Sequence, residues 1–177
     1  LPFRGESSRP MRAISLAEKL VDSGHDVTLW SADFDHYRHS HRFKKNTKIK
    51  VSDQLEVRLI KGRGYKRNLG PGRLVDHAQL ALELSRLLRH EDPPDVGFVG
   101  FPPIEAAFVM TRWLRAAGVP TLVDVKDAWP EIFHRAFPER AAPVGKVALS
   151  GYSFLARQCF RDATGLTSIT EEFLEWA

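Results

Sequence analysis

The stretch that most narrows what this chain can become is Val119-Pro120-Thr121-Leu122-Val123-Asp124-Val125-Lys126-Asp127-Ala128-Trp129-Pro130-Glu131-Ile132-Phe133. A short run rich in β-branched residues, set off by Pro120, ends in alternating charge and then meets a Trp-Pro-Glu step. It reads as a buried strand that delivers polar groups to its carboxyl end. In open parallel sheets that end is where ligands bind. Lys126, Asp127 and Glu131 then stand at the mouth of a crevice, with Trp129 as a flat wall. A plainer reading has Asp124 pair with Lys126 and Pro130 open a helix at its first turn. The stretch alone leaves both open.

Around it, helical and extended patterns alternate. The spacing of Ala13, Ile14, Ala17, Leu20 and Val21 predicts a helix from about Pro10 to Ser23, capped by Ser7 or Ser8 and stopped by Gly24, and His25 to Ser31 follows as a strand. Ile49 to Val51 and Leu55 to Lys61 read as two short strands, the second alternating Leu55, Val57 and Leu59 against Glu56, Arg58 and Lys61. A helix from Arg73 to His90 has Leu74, Ala78, Ala81, Leu82 and Leu88 on one face. After the strand Val96 to Phe101, the helix Ile104 to Ala117 is apolar nearly all round and so largely buried. A last helix, about Pro143 to Asp162, turns Val144, Val147, Ala148, Gly151, Leu155 and Cys159 inward, and the strand Thr164 to Ile169 leads to a helix capped by Thr170. This order predicts an α/β chain with an open, mainly parallel sheet covered by helices on both faces. At 177 residues it suits one domain, 1–177. Such sheets begin with a strand, so a first strand is expected to be missing ahead of the opening loop.

Composition narrows the partners. Lysine and arginine number 26 against 22 acidic residues, giving a net charge of +4 and a pI of about 9.4. That balance suits phosphate-bearing ligands or an anionic membrane surface, but the charges are interspersed and do not choose. No apolar run reaches the ~18 residues needed to span a bilayer, and Leu1 to Gly5 lacks the features of a signal peptide. A reducing, cytoplasmic location is the expectation. The single cysteine, Cys159, excludes an internal disulfide and reads as a small core residue. His36, His39 and His41 near Asp33 and Asp35 match no helical or zinc-finger spacing, and no metal is expected. The loop Gly62 to Gly72 carries four glycines without either nucleotide-binding glycine pattern. It is read as a structural turn, or as a ring of free amides beside Lys66 and Arg67 that would take an anion.

Four stretches, in order, resemble the amino-terminal domain of family-4-like glycosyltransferases, one Rossmann-like half of the two-domain GT-B fold. They are Gly5-Glu6-Ser7-Ser8-Arg9-Pro10-Met11-Arg12-Ala13 to Leu20, the strand entry Gly24-His25-Asp26-Val27-Thr28, Tyr65-Lys66-Arg67-Asn68 with Arg73, and Asp124-Val125-Lys126-Asp127-Ala128-Trp129-Pro130-Glu131. The resemblance covers nearly the whole chain. It implies a metal-independent, retaining transfer of a hexosyl group from a nucleotide-sugar to a glycan or lipid-linked acceptor. The product would be a cell-surface polysaccharide or glycolipid of the cell envelope. It further implies a donor loop at Gly5, Glu6 and Arg9, catalytic roles for Lys126, Asp127 and Glu131, and an acceptor or membrane side at Tyr65, Lys66, Arg67 and Trp129. The family's carboxy-terminal, nucleotide-binding domain is expected to be missing from this piece, which by itself is then expected to be inactive. The basic stretch Arg38 to Lys50 suits peripheral contact with anionic head groups at the inner face of a membrane; nucleic acid is not expected. Two other readings stand beside this one: a sugar-nucleotide epimerase of the same architecture, and a non-catalytic Rossmann-like module that binds an anionic partner through Lys44, Lys45, Lys48 and Lys50.

Overall fold

The computed structural model describes residues 12–35, 38–66, 71–130 and 142–177. The chain divides into two compact units, Leu1–Leu80 and Ala81–Ala177.

In the first unit, helix α1 (Arg12–Asp22) leads into strand β1 (Val27–Ala32). The Gly24 stop is real. At φ 89° it adopts the left-handed conformation that side chains disfavour, and the His25 amide reaches back 3.1 Å to the Leu20 carbonyl. Strands β2 (Phe34–Asp35) and β3 (Ser40–His41) form a small antiparallel ladder in a stretch for which no strand was expected. Strand β4 (Thr47–Lys50) pairs antiparallel with β5 (Leu55–Ile60), and β1 pairs parallel with β5, giving the order β1-β5-β4. Within this sheet the parallel pairing gives way at β4, since a short hairpin can return the chain in no other direction. Alternation along β5 holds as expected: Leu55, Val57 and Leu59 are buried, while Glu56 and Arg58 lie on the other face. There the Arg58 guanidinium lies 4.9 Å from the Trp30 ring centroid and pairs with Glu56.

Helix α2 (Pro71–Leu88) begins in the first unit and ends in the second. Its inward face is the expected one only in part. Ala81 and Leu88 are buried as expected, but Leu82 is 63% exposed and Ala78 is exposed, whereas Asp76, His77, Leu80 and Leu84 are buried. Counting only apolar residues missed the phase of the helix, because its first buried positions are polar.

The second unit is a parallel sheet of β6 (Gly97–Phe101), β7 (Thr121–Val125) and β8 (Gly165–Ser168), in that order. Helix α3 (Ile104–Ala116) ends at Gly118, φ 72°, with the Val119 amide 2.9 Å from the Leu114 carbonyl, the same closure as at Gly24. Helix α4 (Ala142–Asp162) packs on α3 and β7. Val99, Phe101, Ile104, Ala107, Leu114, Val123, Val125, Trp129, Ala156 and Cys159 make one buried core. Full burial of a side chain such as Phe101 is worth about 1.5–3 kcal/mol. The expectation for α3 holds in part: its buried positions include the polar Glu105 and Thr111. In α4, Gly151 is exposed rather than inward, while Ala156 and Cys159 are buried; the side chains of Val144, Val147 and Ala148 lie outside the described residues. Thr170 caps α5 (Glu171–Trp176) as expected, its hydroxyl accepting from the Phe173 amide at 3.3 Å.

Candidate functional site

In each unit, chemistry-bearing side chains gather just past the carboxyl ends of the parallel strands. In the second unit, the Lys126 amide extends the ladder by one bond to the Phe101 carbonyl at 2.9 Å. This fixes the residue at the rim of the sheet. Its ammonium, 42% exposed, lies 3.9 Å from Oδ2 of Asp124, whose side chain is fully buried. Oδ1 of the same carboxylate accepts from the Thr167 hydroxyl on β8 at 3.1 Å. Gly100 on β6 completes the seat, because a β-carbon there would come within 3.3 Å of the Lys126 ammonium. The pairing of Asp124 with Lys126, the plainer of the two sequence readings, is thus present. It also orients a cation whose outer side stays open to solvent.

Asp127 follows as an exposed carboxylate, and its carbonyl accepts from the Trp129 amide at 2.9 Å. Trp129 corrects an expectation. Rather than an open flat wall, it is 5% exposed and sits in the core with Phe101 and Val125. An indole has too much apolar surface to stay at a rim when a core position is within reach.

In the first unit, Asp33 continues β1 through a 2.9 Å bond from its amide to the Ile60 carbonyl, and its side chain is fully buried. Its Oδ1 lies 2.8 Å from Nδ1 of His41. Phe34 packs on His41 with centroids 5.1 Å apart and on Tyr65 at 4.8 Å. His39 joins them, its Nδ1 3.1 Å from the Tyr65 carbonyl and its ring 6.1 Å from that of Tyr65. Burial raises the Tyr65 phenol above its ordinary range; the charge of Arg73 opposes this and that of Asp76 adds to it. Lys66 is exposed. Among the described residues no group of three or more histidine, cysteine or acidic side chains is arranged to hold a metal ion.

The glycine-rich loop answers the question its sequence posed. The Gly64 amide donates at 2.7 Å to Oδ1 of Asp76, a buried carboxylate on α2. One of its amides thus already has an anion, supplied by the chain itself. Gly5, Glu6, Arg9, Arg67 and Glu131 lie outside the described residues.

Rossmann-type alternation with polar groups at the strand ends agrees with many activities, so the decision comes from comparison. A family model described as a glycosyl transferase 4-like domain matches residues 11–177. The chain belongs to that family. The resemblance drawn from four short motifs therefore holds over almost the entire sequence, and the α/β architecture is that of a Rossmann-like glycosyltransferase domain. No match was found among curated proteins. No helix among the described residues of this glycosyltransferase domain is long and apolar enough to cross a membrane.

Sequence reasoning missed three residues of these clusters. Asp33 was weighed only as a neighbour of the histidines, in a set that matched no metal spacing, although an acidic residue directly after the strand Val27–Ala32 is where a rim carboxylate belongs. Asp76 stands four residues before Leu80 and eight before Leu84, the spacing of a shared helix face. Thr167 gave no signal apart from its register opposite Asp124.

Proposed function

We propose that this glycosyltransferase domain forms the acceptor side of a retaining enzyme, which moves a hexosyl group from a nucleotide-sugar to a glycan or lipid-linked acceptor of the cell envelope. The reading is carried by the Lys126 ammonium, oriented by the buried Asp124 at the carboxyl end of β7, in a chain of this family. Transfer breaks the bond between the anomeric carbon and the phosphate oxygen, whose electron pair leaves with the nucleoside diphosphate. The acceptor oxygen bonds to that carbon, and its proton passes to the leaving phosphate. A cation already oriented toward the growing negative charge lowers the barrier without reorganising. Asp127, exposed beside it, has the character to orient an acceptor hydroxyl.

In this reading a carboxy-terminal nucleotide-binding half supplies the other wall. Gly5, Glu6 and Arg9 keep the donor-loop role, and Glu131 and Arg67 the roles, that the resemblance implies. Lys44, Lys45, Lys48 and Lys50 are exposed. Lys50 also pairs with Asp53 at 2.7 Å; a cation of this run near an anionic leaflet adds about 1 kcal/mol of attraction, which supports peripheral contact at the cytoplasmic face. No metal is required.

The test uses the full-length protein with a panel of radiolabelled uridine-, guanosine- and adenosine-diphosphate sugars and a membrane lipid extract. Label is expected in the lipid or glycan fraction, with the anomeric configuration of the donor kept, and Lys126→Ala is expected to lower the rate by on the order of 100-fold. Conversion of the donor with no need of acceptor would favour an epimerase instead. A Lys126→Ala variant as fast as wild type would remove the residue from the chemistry.

A further inference from the structure

Register sets Asp124 between Gly100 of β6 and Thr167 of β8, all at one level of the sheet. Side chains alternate along a strand, and Lys126 continues the ladder past Val125, so Asp124 and Lys126 rise from the same face. Val123 and Val125 turn to the other face, where the core lies. The carboxylate of Asp124 is divided between its neighbours. Oδ1 accepts from the Thr167 hydroxyl at 3.1 Å, and Oδ2 is the oxygen that stands 3.9 Å from the Lys126 ammonium.

That division matters because the two oxygens turn together. The last torsion of an aspartate is broad and has no sharp minimum of its own, so nothing within Asp124 chooses where Oδ2 points. Thr167 does: its hydroxyl donates, the carboxylate accepts, and with Oδ1 held by β8 the other oxygen is left to face Lys126. Gly100 supplies the space on the opposite strand, since a β-carbon there would lie 3.3 Å from Nζ of Lys126 and 3.9 Å from Cε. A lysine carries its charge on a flexible stem. At 42% exposure, the direction of this one comes from what it leans on. Asp124 has no exposed surface and cannot touch a substrate. What it and Thr167 contribute reaches solvent only through the lysine.

We propose that Thr167 is a positioning residue for sugar transfer: through Asp124 it sets the direction of the Lys126 ammonium, and Gly100 keeps the space that this direction needs. The orientation itself stands on the geometry above; its effect on the reaction rests on the reading of Lys126 under the proposed function. A threonine that did no more than satisfy a buried carboxylate would act on stability alone. One that aims a cation acts on the rate, and only while the cation is there.

NMR of the full-length protein with carbon-13-labelled lysine reads the orientation, and the donor assay reads the rate. The paired Cε protons of Lys126, assigned by their loss in Lys126→Ala, are expected to give separate signals, because a side chain held in one direction gives them different surroundings. Thr167→Val keeps the shape and removes the hydroxyl. It is expected to merge those signals and to lower kcat about tenfold with the KM for the nucleotide-sugar unchanged, and Thr167→Ser is expected to restore both. In a Lys126→Ala background the Thr167→Val change is expected to cost no further rate, whereas damage to the fold would persist there. Wild-type kcat in Thr167→Val overturns the proposal, and so does a loss that survives in the Lys126→Ala background. If Thr167→Val does not fold, the wild-type protein and Gly100→Ala decide: separate signals that Gly100→Ala shifts uphold the seat, and merged signals in the wild type overturn it. Lys126→Ala as fast as wild type would remove the lysine from the transfer reading, while the Cε proton signals of Thr167→Val would still decide whether Thr167 aims it.

Discussion

Asp76 holds Gly64: the buried carboxylate accepts a 2.7 Å hydrogen bond from the glycine amide, twelve residues back along the chain. The same oxygen lies 2.4 Å from where a β-carbon on Gly62 would stand, so both glycines are shaped around one side chain. Asp76→Ala removes the acceptor and leaves the Gly64 amide without it, at a cost of about 1–3 kcal/mol. Chemical denaturation should register that loss. Gly62→Ala should also destabilise, by driving the carboxylate off the loop. A denaturation midpoint unchanged in Asp76→Ala would show that the bond contributes nothing net.

The close approach of β6 to α3 makes a second, opposite kind of prediction. A β-carbon on Gly97 would lie 2.3 Å from Cδ1 of Leu114, a residue 1% exposed with little room to move. Gly97→Ala is expected to destabilise by about 1–3 kcal/mol through overpacking. Pairing it with Leu114→Ala should recover part of that cost, because the added methyl then fills vacated space. A double-mutant cycle reads the coupling directly, and simple additivity would contradict the contact.

Asp162 near the end of α4 pairs with Arg115 and lies 3.7 Å from Arg112, both on α3. The carboxylate is fully buried, while the two guanidiniums are about three-fifths exposed, at 59% and 58%. Removing both arginines strands a charge out of water; removing the carboxylate leaves two cations that water can solvate. The Arg112→Ala/Arg115→Ala double variant is therefore expected to lose about 3 kcal/mol or more, and Asp162→Asn less. Thermal melts of the two variants in the reverse order would refute this asymmetry.

Alkaline pH should loosen the second unit. Burial, then the charge of Glu105 and a hydrogen bond to it, pushes the Tyr152 phenol from 10.0 up to about 12. Burial, opposed by a hydrogen bond with Thr111, pushes the Cys159 thiol from 9.0 up to about 12. Between those ordinary values and about 12, the folded state holds protons that the unfolded chain has released, so stability falls as pH rises. The contribution is whole below pH 9 and gone once both groups ionise in the folded state. Tyr152→Phe and Cys159→Ala should each flatten the slope of unfolding free energy against pH over that window. Slopes identical to wild type would mean that neither group resists ionisation.

The strand and helix series was legible because its signals are local. Gly24 and Gly118 mark helix stops, Leu55, Val57 and Leu59 alternate, and Thr170 caps, each determined by a few neighbouring residues. What the sequence hid was non-local. Leu84 turns inward and Leu82 does not, in a phase that the buried polar residues Asp76 and His77 concealed. Trp129 looked like a rim residue until the core that takes it was assembled from β6, β7 and α4. Half of the Lys126 seat could be read from the two-residue step to Asp124, while Gly100 and Thr167 belong to other strands and meet it only through register. The Asp33–His41 pair was hidden in the same way, since the β2–β3 ladder that aligns it is only two residues long on each side.

The seating of Cys159 has a practical consequence. Its sulfur faces the Ile104 carbonyl at 3.9 Å, with no exposed surface, and it is the single thiol in the chain. A buried thiol held in its neutral form does not react with alkylating reagents. Labelling can proceed only during those moments when α3 and α4 part, so uptake of one iodoacetamide per molecule becomes a stopwatch for the opening of that seam, with no engineered probe and no competing signal.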